Sequence, residues 1–280
     1  MFYVIKKQTD IPVKKLSFLL ALFTCLALQA QNSRCWVIGA GGSFPVGKFA
    51  AFSYDPNTLE SSCGIMDYEA FDGGAATGIN IGIETFSPII NDNLFFTMSA
   101  DFCFNSLNDD AKKHINLVAS YFDMYYHNQL QSRVAGTVTS SCAVKRKPSY
   151  FNFPILAGLR YAIPINNMVL SAEAGAGMNL RFISPIVFRQ YLSHPSNEFT
   201  MDIKYQYAMK GTLAFRLGAD LSFTEKLSLA AYFYYLGESD VFVRVSSKVR
   251  NNNSILPSET TTQFGSVSPM MAVVKLCYSL

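Results

Sequence analysis

The sequence predicts an all-β fold: one eight-stranded antiparallel up-and-down transmembrane β-barrel with four long external loops and short periplasmic turns. Three observations lead there. Apolar residues recur at every second position in eight separate stretches, and the connections between those stretches alternate long and short. The two rows of each stretch also differ in content, one suited to lipid and the other to a crowded polar interior.

The stretches follow in order. Trp36, Ile38, Ala40, Gly42 and Phe44 form the first apolar row, and Ile79, Ile81 and Ile83 lie in the second. A turn over Pro88 to Asn93 leads to Leu94, Phe96, Met98, Ala100, Phe102 and Phe104. After a long connection from Ser106 to Lys147, Phe151 to Tyr161 alternate, and the turn Pro164 to Asn167 opens the row Leu170 to Phe182. A loop from Ser184 to Ala208 precedes Gly211 to Leu221, and a tight turn at Thr224 to Lys226 precedes Leu227 to Tyr235. A last polar loop returns to Pro269 to Leu280, the strand expected to close the barrel on the first. The string Gly39-Ala40-Gly41-Gly42 has Phe44 and Pro45 where a dinucleotide loop needs glycine and a running helix, so a nucleotide site is excluded.

Alternation alone fits a soluble barrel as well as a membrane one, so the content of the rows decides. The apolar rows carry no charge, whereas the other rows carry Glu84, Asp101, Glu173 and Asp220 against Arg160, Arg181, Arg216 and Lys275. These are spaced by Gly, Ala, Ser, Thr and Asn, too sparse for a water-exposed face. Facing lipid, an Arg or Lys near the midplane would cost roughly 2 to 4 kcal/mol, so the charged rows point inward. An eight-stranded lumen is filled by its side chains, which gives a packed charge network and no open pore. Lys275 is expected to find partners among Glu84, Glu173 and Asp220. Phe44, Phe153, Tyr161, Phe182, Phe223, Tyr235 and Tyr278 lie near strand ends, where interfacial girdles form.

Composition agrees: the chain is 50% hydrophobic and 15% charged, against about a quarter charged in soluble domains. Lys6, Lys7, Lys14 and Lys15 against Asp10 carry the whole formal excess of +3, so the remainder is neutral and composition gives no support for nucleic-acid binding. Residues 1–30 read as an export signal, with Lys14 and Lys15 before the apolar run Leu16 to Leu28 and a break after Ala30. That run rises only about 20 Å as a helix, short of a membrane span. Residues 31–280 are then the barrel domain.

From Trp36 to Leu280 the chain resembles the eight-stranded outer-membrane β-barrel proteins of OmpA-like and OmpX-like architecture, often labelled porin family, that are numerous in Bacteroidetes-type bacteria. The marks are Gly42-Ser43-Phe44-Pro45-Val46-Gly47 leaving the first strand, Phe153-Pro154-Ile155-Leu156 in the fourth, and the aromatic-containing final strand. The resemblance implies residence in the cell outer membrane, contact with its lipid, and a C-terminal strand read by the barrel-assembly machinery. This chain departs from the pattern in ending on Leu280 rather than an aromatic residue.

Residues that could carry chemistry are few. His114, His127 and His194 all fall in long connections, without metal-ligand spacing, and no CxxC or HExxH occurs. No catalytic constellation, metal or cofactor is expected. Of the five cysteines after the signal, Cys35 and Cys277 lie near the ends of neighbouring strands, and Cys63 and Cys142 lie in the first two long loops; both pairs are candidate disulfides in an exported protein. The stretch 109–131 carries Ile115, Leu117, Val118, Tyr121, Phe122, Tyr125 and Tyr126 at partly helical spacing, fitting either a rim helix or strands extended beyond the membrane. The function expected is a structural or binding role through the external loops, with an extracellular ligand or protein at the second and third, by a monomer. A narrow small-solute channel and a lipid-modifying enzyme at the rim, built on His127 or His194, stand as alternatives.

Overall fold

The computed structural model describes residues 35–52, 73–90, 93–132, 136–194, 197–251 and 254–280; the expected signal segment and Cys63 lie outside them. Thirteen strands are present among these residues: β1 (Cys35–Val46), β2 (Ala75–Ile90), β3 (Leu94–Leu107), β4 (Thr139–Arg146), β5 (Tyr150–Ile165), β6 (Met168–Ile183), β7 (Ile186–His194), β8 (Asn197–Tyr207), β9 (Lys210–Ser222), β10 (Leu227–Tyr235), β11 (Ser239–Asn251), β12 (Ser254–Val267) and β13 (Met270–Ser279). One helix, α1 (Asp109–Gln131), follows β3.

Eight strands close a barrel in the order β1-β13-β10-β9-β6-β5-β3-β2, every pair antiparallel. Closure comes from β13, which pairs with β10 on one side and with β1 on the other, Ala40 standing opposite Leu276. The turns at one end are tight. Between β5 and β6 only Asn166 and Asn167 remain outside the ladder, and Asn166 takes a φ of 54°, a left-handed conformation that asparagine tolerates in two-residue hairpins.

The other end is not a set of irregular loops. A second, five-stranded sheet runs β12-β11-β8-β7-β4, the order of the barrel strands β13-β10-β9-β6-β5 on which its members stand. It prolongs part of the barrel wall outward. Breaks between the two tiers fall where the ladder cannot continue: Pro148, Pro185 and Pro269 lack the N–H it needs. At the β10 to β11 bend Gly237 has a φ of +69°, and a Cβ there would stand 2.4 Å from the carbonyl oxygen of Leu213.

Helix α1 occupies the next place around the wall, above β3. Asn108 caps it by accepting from the Ala111 N–H at 2.9 Å, and Asp109 and Asp110 favour its N-terminal dipole. Its buried face, with Ile115, Val118 and Phe122, packs on the outer sheet, where Phe122 meets Phe188 at 5.1 Å. Gln190 donates to the Asp123 carboxylate at 3.0 Å along the same contact. Both readings of the second connection therefore hold: a helix and an extended strand.

Candidate functional site

The two rows of each barrel strand meet different surroundings. On the outside stand Ile79, Ile81 and Ile83 of β2, Leu213, Phe215 and Leu217 of β9, and Val274, Leu276 and Tyr278 of β13, all exposed. A closed cylinder with an apolar outer wall is stable only where lipid covers that wall, so the chain spans a membrane with its strands. Helix α1 is not apolar enough to cross one. Six of the seven expected girdle residues are exposed near strand ends, while Tyr235 is half-buried and stacks on Phe215 at 6.3 Å.

Inside, all eight charged residues of the polar rows are buried. Arg216, 1% exposed, is the hub: its guanidinium contacts Glu173, lies 3.4 Å from Glu84 and 3.4 Å from Asp101, and stacks over Tyr232 with 4.4 Å to the ring centre. Tyr234 donates to Asp101 at 2.9 Å. Nearer the short-turn end, Arg160 binds Asp220 at 2.6 Å and covers the Phe86 ring.

The geometry corrects the expected partners of Lys275 and the place of Arg181 in the charge network. Lys275 binds none of Glu84, Glu173 and Asp220 but Asp101, at 2.9 Å. It crosses the lumen from β13 to β3, and the space comes from glycine: a Cβ on Gly82 would stand 1.9 Å from the Asp101 carboxylate. Arg181 lies apart from the carboxylates. It donates to the carbonyl oxygens of Val267 at 2.8 Å and Gly237 at 3.0 Å, tying down two junctions between the tiers.

Above the charges comes a layer of buried amides, with Asn179 donating to Asn152 at 3.1 Å and Asn105 to Ser43 at 3.2 Å. The mouth beyond is apolar. Phe49, from a short 3-10 turn after β1, packs edge-on against Tyr150 at 5.1 Å, in a buried cluster with Leu107, Ile186, Leu236 and Val267. At the opposite end the lumen widens into a cavity of about 560 Å³ lined by Phe86, Phe95, Ser171 and Ser222, among others, with Arg160 in its lining.

The candidate disulfide between Cys35 and Cys277 is not formed; both thiols are free. Register is the reason. Cys277 stands opposite Gly39, so Cys35 lies four residues further along, about 13 Å of strand, too far for a bridge. Cys142 is also free, half-buried beneath α1, and desolvation there, with Asp123 nearby, pushes its thiol up to about 12. On the folded protein Cys35 is expected to alkylate without prior reduction and Cys142 only slowly, gaining speed on denaturation. Peptide mass mapping after timed labelling reads both, and a reduction-dependent Cys35 adduct would contradict the register.

His114 and His127 are held apart on one helix. His114 is buried on α1 beside Phe52 at 5.3 Å, where burial pulls its imidazole below the ordinary value. His127 lies about 20 Å further along the same helix, and His194 is at the β7 to β8 turn. No cluster of His, Cys, Asp and Glu able to hold a metal occurs among the described residues.

Sequence reasoning missed the outer-tier residues Phe188, Met201, Ile203 and Tyr205, all buried. Their signal was present: Phe199, Met201, Ile203, Tyr205 and Tyr207 alternate with Glu198, Thr200, Asp202, Lys204 and Gln206.

No protein-family model and no curated protein matches the sequence. Among solved structures the chain is similar to Ail, the attachment invasion locus protein of Yersinia pestis, at 10% identity and a TM-score of 0.36, over 88% of this chain and 97% of that one. It is similar to a major outer membrane protein from Thermus thermophilus at 8% identity and 0.37, over 89% and 100% of the two chains. The outer membrane protein OprG from Pseudomonas aeruginosa gives 10% identity and 0.38, over 90% and 98%. At such values these likenesses transfer no ligand or activity. The chain's own geometry makes it an eight-stranded outer-membrane β-barrel.

Proposed function

We propose that the barrel is a sealed membrane anchor whose work is done by the external wall, as a binding platform at the cell surface. The observation that carries this reading is the double closure of the lumen. Arg216 and its carboxylates fill the centre, and Phe49 with Tyr150 fills the outer mouth. Meanwhile five strands and a 23-residue helix are built outside the membrane. Helix α1 leaves Leu117, Met124 and Tyr125 exposed on the side away from the sheet, an apolar and aromatic stripe of the kind that partner proteins cover. The cavity of about 560 Å³ is lined by residues of the short-turn end, below the Arg216 network, which supports a dead-end pocket better than a solute channel.

Conductance separates anchor from channel. Purified folded protein in a planar bilayer is expected to give no steady unitary current at any holding potential. A reproducible step in wild-type protein would reject the sealed lumen and favour the small-solute channel.

A further inference from the structure

The cavity of about 560 Å³ at the short-turn end falls within the roughly 300 to 1,000 Å³ of small-ligand sites. The space exists because Ala162, Ser171, Ser222 and Ser279, each on a different barrel strand, turn short side chains inward there. One side of it is apolar and aromatic, with Phe86 meeting Phe95 edge-on at 5.9 Å. Asn167 and Glu225, exposed on two of the short turns, form its rim. In outer-membrane barrels such turns face the periplasm.

Two buried donors line this space without the acceptors they need. Ser171 is 1% exposed, and its hydroxyl has no hydrogen-bond partner within the protein. Arg160 carries several N–H donors, yet among the described residues it makes one hydrogen bond, to Asp220 at 2.6 Å, while its face covers the Phe86 ring at 4.9 Å. Buried donors left unmatched are costly, and native proteins keep few of them. An acceptor on a bound molecule satisfies both.

Charge balance selects the kind of acceptor. Arg160 is the one base in the lining, and Asp220, which also accepts from Ser222 at 3.2 Å, already matches it. Glu225 adds a negative charge at the rim. A carboxylate or phosphate would enter with no free cation to meet it, and a cation would bring donors to a place that needs acceptors. An uncharged carbonyl meets neither penalty.

We propose that this cavity binds a small uncharged amphipathic compound, whose amide or carbonyl oxygen accepts from Arg160 and Ser171 and whose apolar group packs on Phe86 and Phe95. The site lies across the membrane from the external wall, so the platform reading and this pocket stand or fall separately.

The test uses the full-length folded protein in phosphatidylcholine nanodiscs, titrated calorimetrically with 3-phenylpropionamide and with 3-phenylpropionate against empty discs. The amide is expected to saturate at one molecule per barrel and to bind at least about tenfold more tightly than the carboxylate, which carries an unmatched charge. Ser171→Ala should weaken the amide by about three- to tenfold, the worth of one hydrogen bond. Ala162→Phe, which fills the cavity, should abolish binding, and unheated gel mobility confirms the closed barrel in both variants. Saturating amide should also slow alkylation of Cys35, which lines the same cavity, and leave that of Cys142 on the external wall unchanged. Binding no greater than to empty discs, equal affinity for the carboxylate, full affinity in Ala162→Phe, or Cys35 labelled as fast with the amide as without it would overturn the site.

Discussion

Arg216→Leu is expected to keep most of the chain from reaching its compact, heat-modifiable barrel form. The substitution removes the one cation within reach of Glu84, Asp101 and Glu173 together, leaving Lys275 for Asp101 alone. Breaking a single buried pair costs about 3 to 5 kcal/mol, and three carboxylates share this guanidinium. Lysine should not rescue it, because a point charge cannot serve three acceptors arranged around a planar fork. Adding Glu173→Gln to Arg216→Leu should recover part of the loss by removing one uncompensated charge. Folded fraction during urea titration in lipid, read from unheated and heated gel mobility, measures each step. An Arg216→Leu barrel as stable as wild type would mean that the network contributes nothing.

The adjacent residue gives the second large effect, for the opposite reason. Leu217 is 61% exposed at the middle of β9, opposite Ala174 of β6 and Phe233 of β10. Its surroundings in the cell are hydrocarbon. Leu217→Arg is expected to destabilise the barrel in bilayers by about 2 to 4 kcal/mol, while Leu217→Ile should be nearly neutral. The same arginine on a soluble barrel would meet water and cost little, so a measured change near zero would contradict the lipid-facing assignment. Positions 216 and 217 thus report the two faces of one strand.

Much of this architecture was legible because lipid outside and packing inside impose a strict period of two. In β6, Leu170 to Phe182 alternate with Ser171 to Arg181 without a break, and the ladder to β5 keeps register over its whole length. The outer tier was less legible. In β8 the polar row contains Glu198, Asp202 and Lys204, a density that no lipid-spanning strand tolerates, so alternation there reads as a loop unless a water-exposed sheet is considered. The identity of the lumen residues followed from the cost of facing charge toward lipid. Their pairing did not, because Lys275 reaches Asp101 across the lumen rather than across a strand pair, and glycines at 39 and 82 leave room for it. Cys35 and Cys277 failed as a pair for a related reason: neighbouring strands guarantee proximity of the ladders, and register alone decides which residues face each other.

The central claim, that one face of each barrel strand meets lipid and the other a filled lumen, is tested most directly by spin labels placed singly along β6 from Leu170 to Asn179 in a reconstituted bilayer. Collisions with oxygen should peak at Leu170, Ala172, Ala174 and Ala176, and fall at Ser171, Glu173 and Gly175 for both oxygen and a water-soluble relaxant. High accessibility of the even-numbered positions to the water-soluble relaxant through the middle of the strand would contradict the membrane barrel.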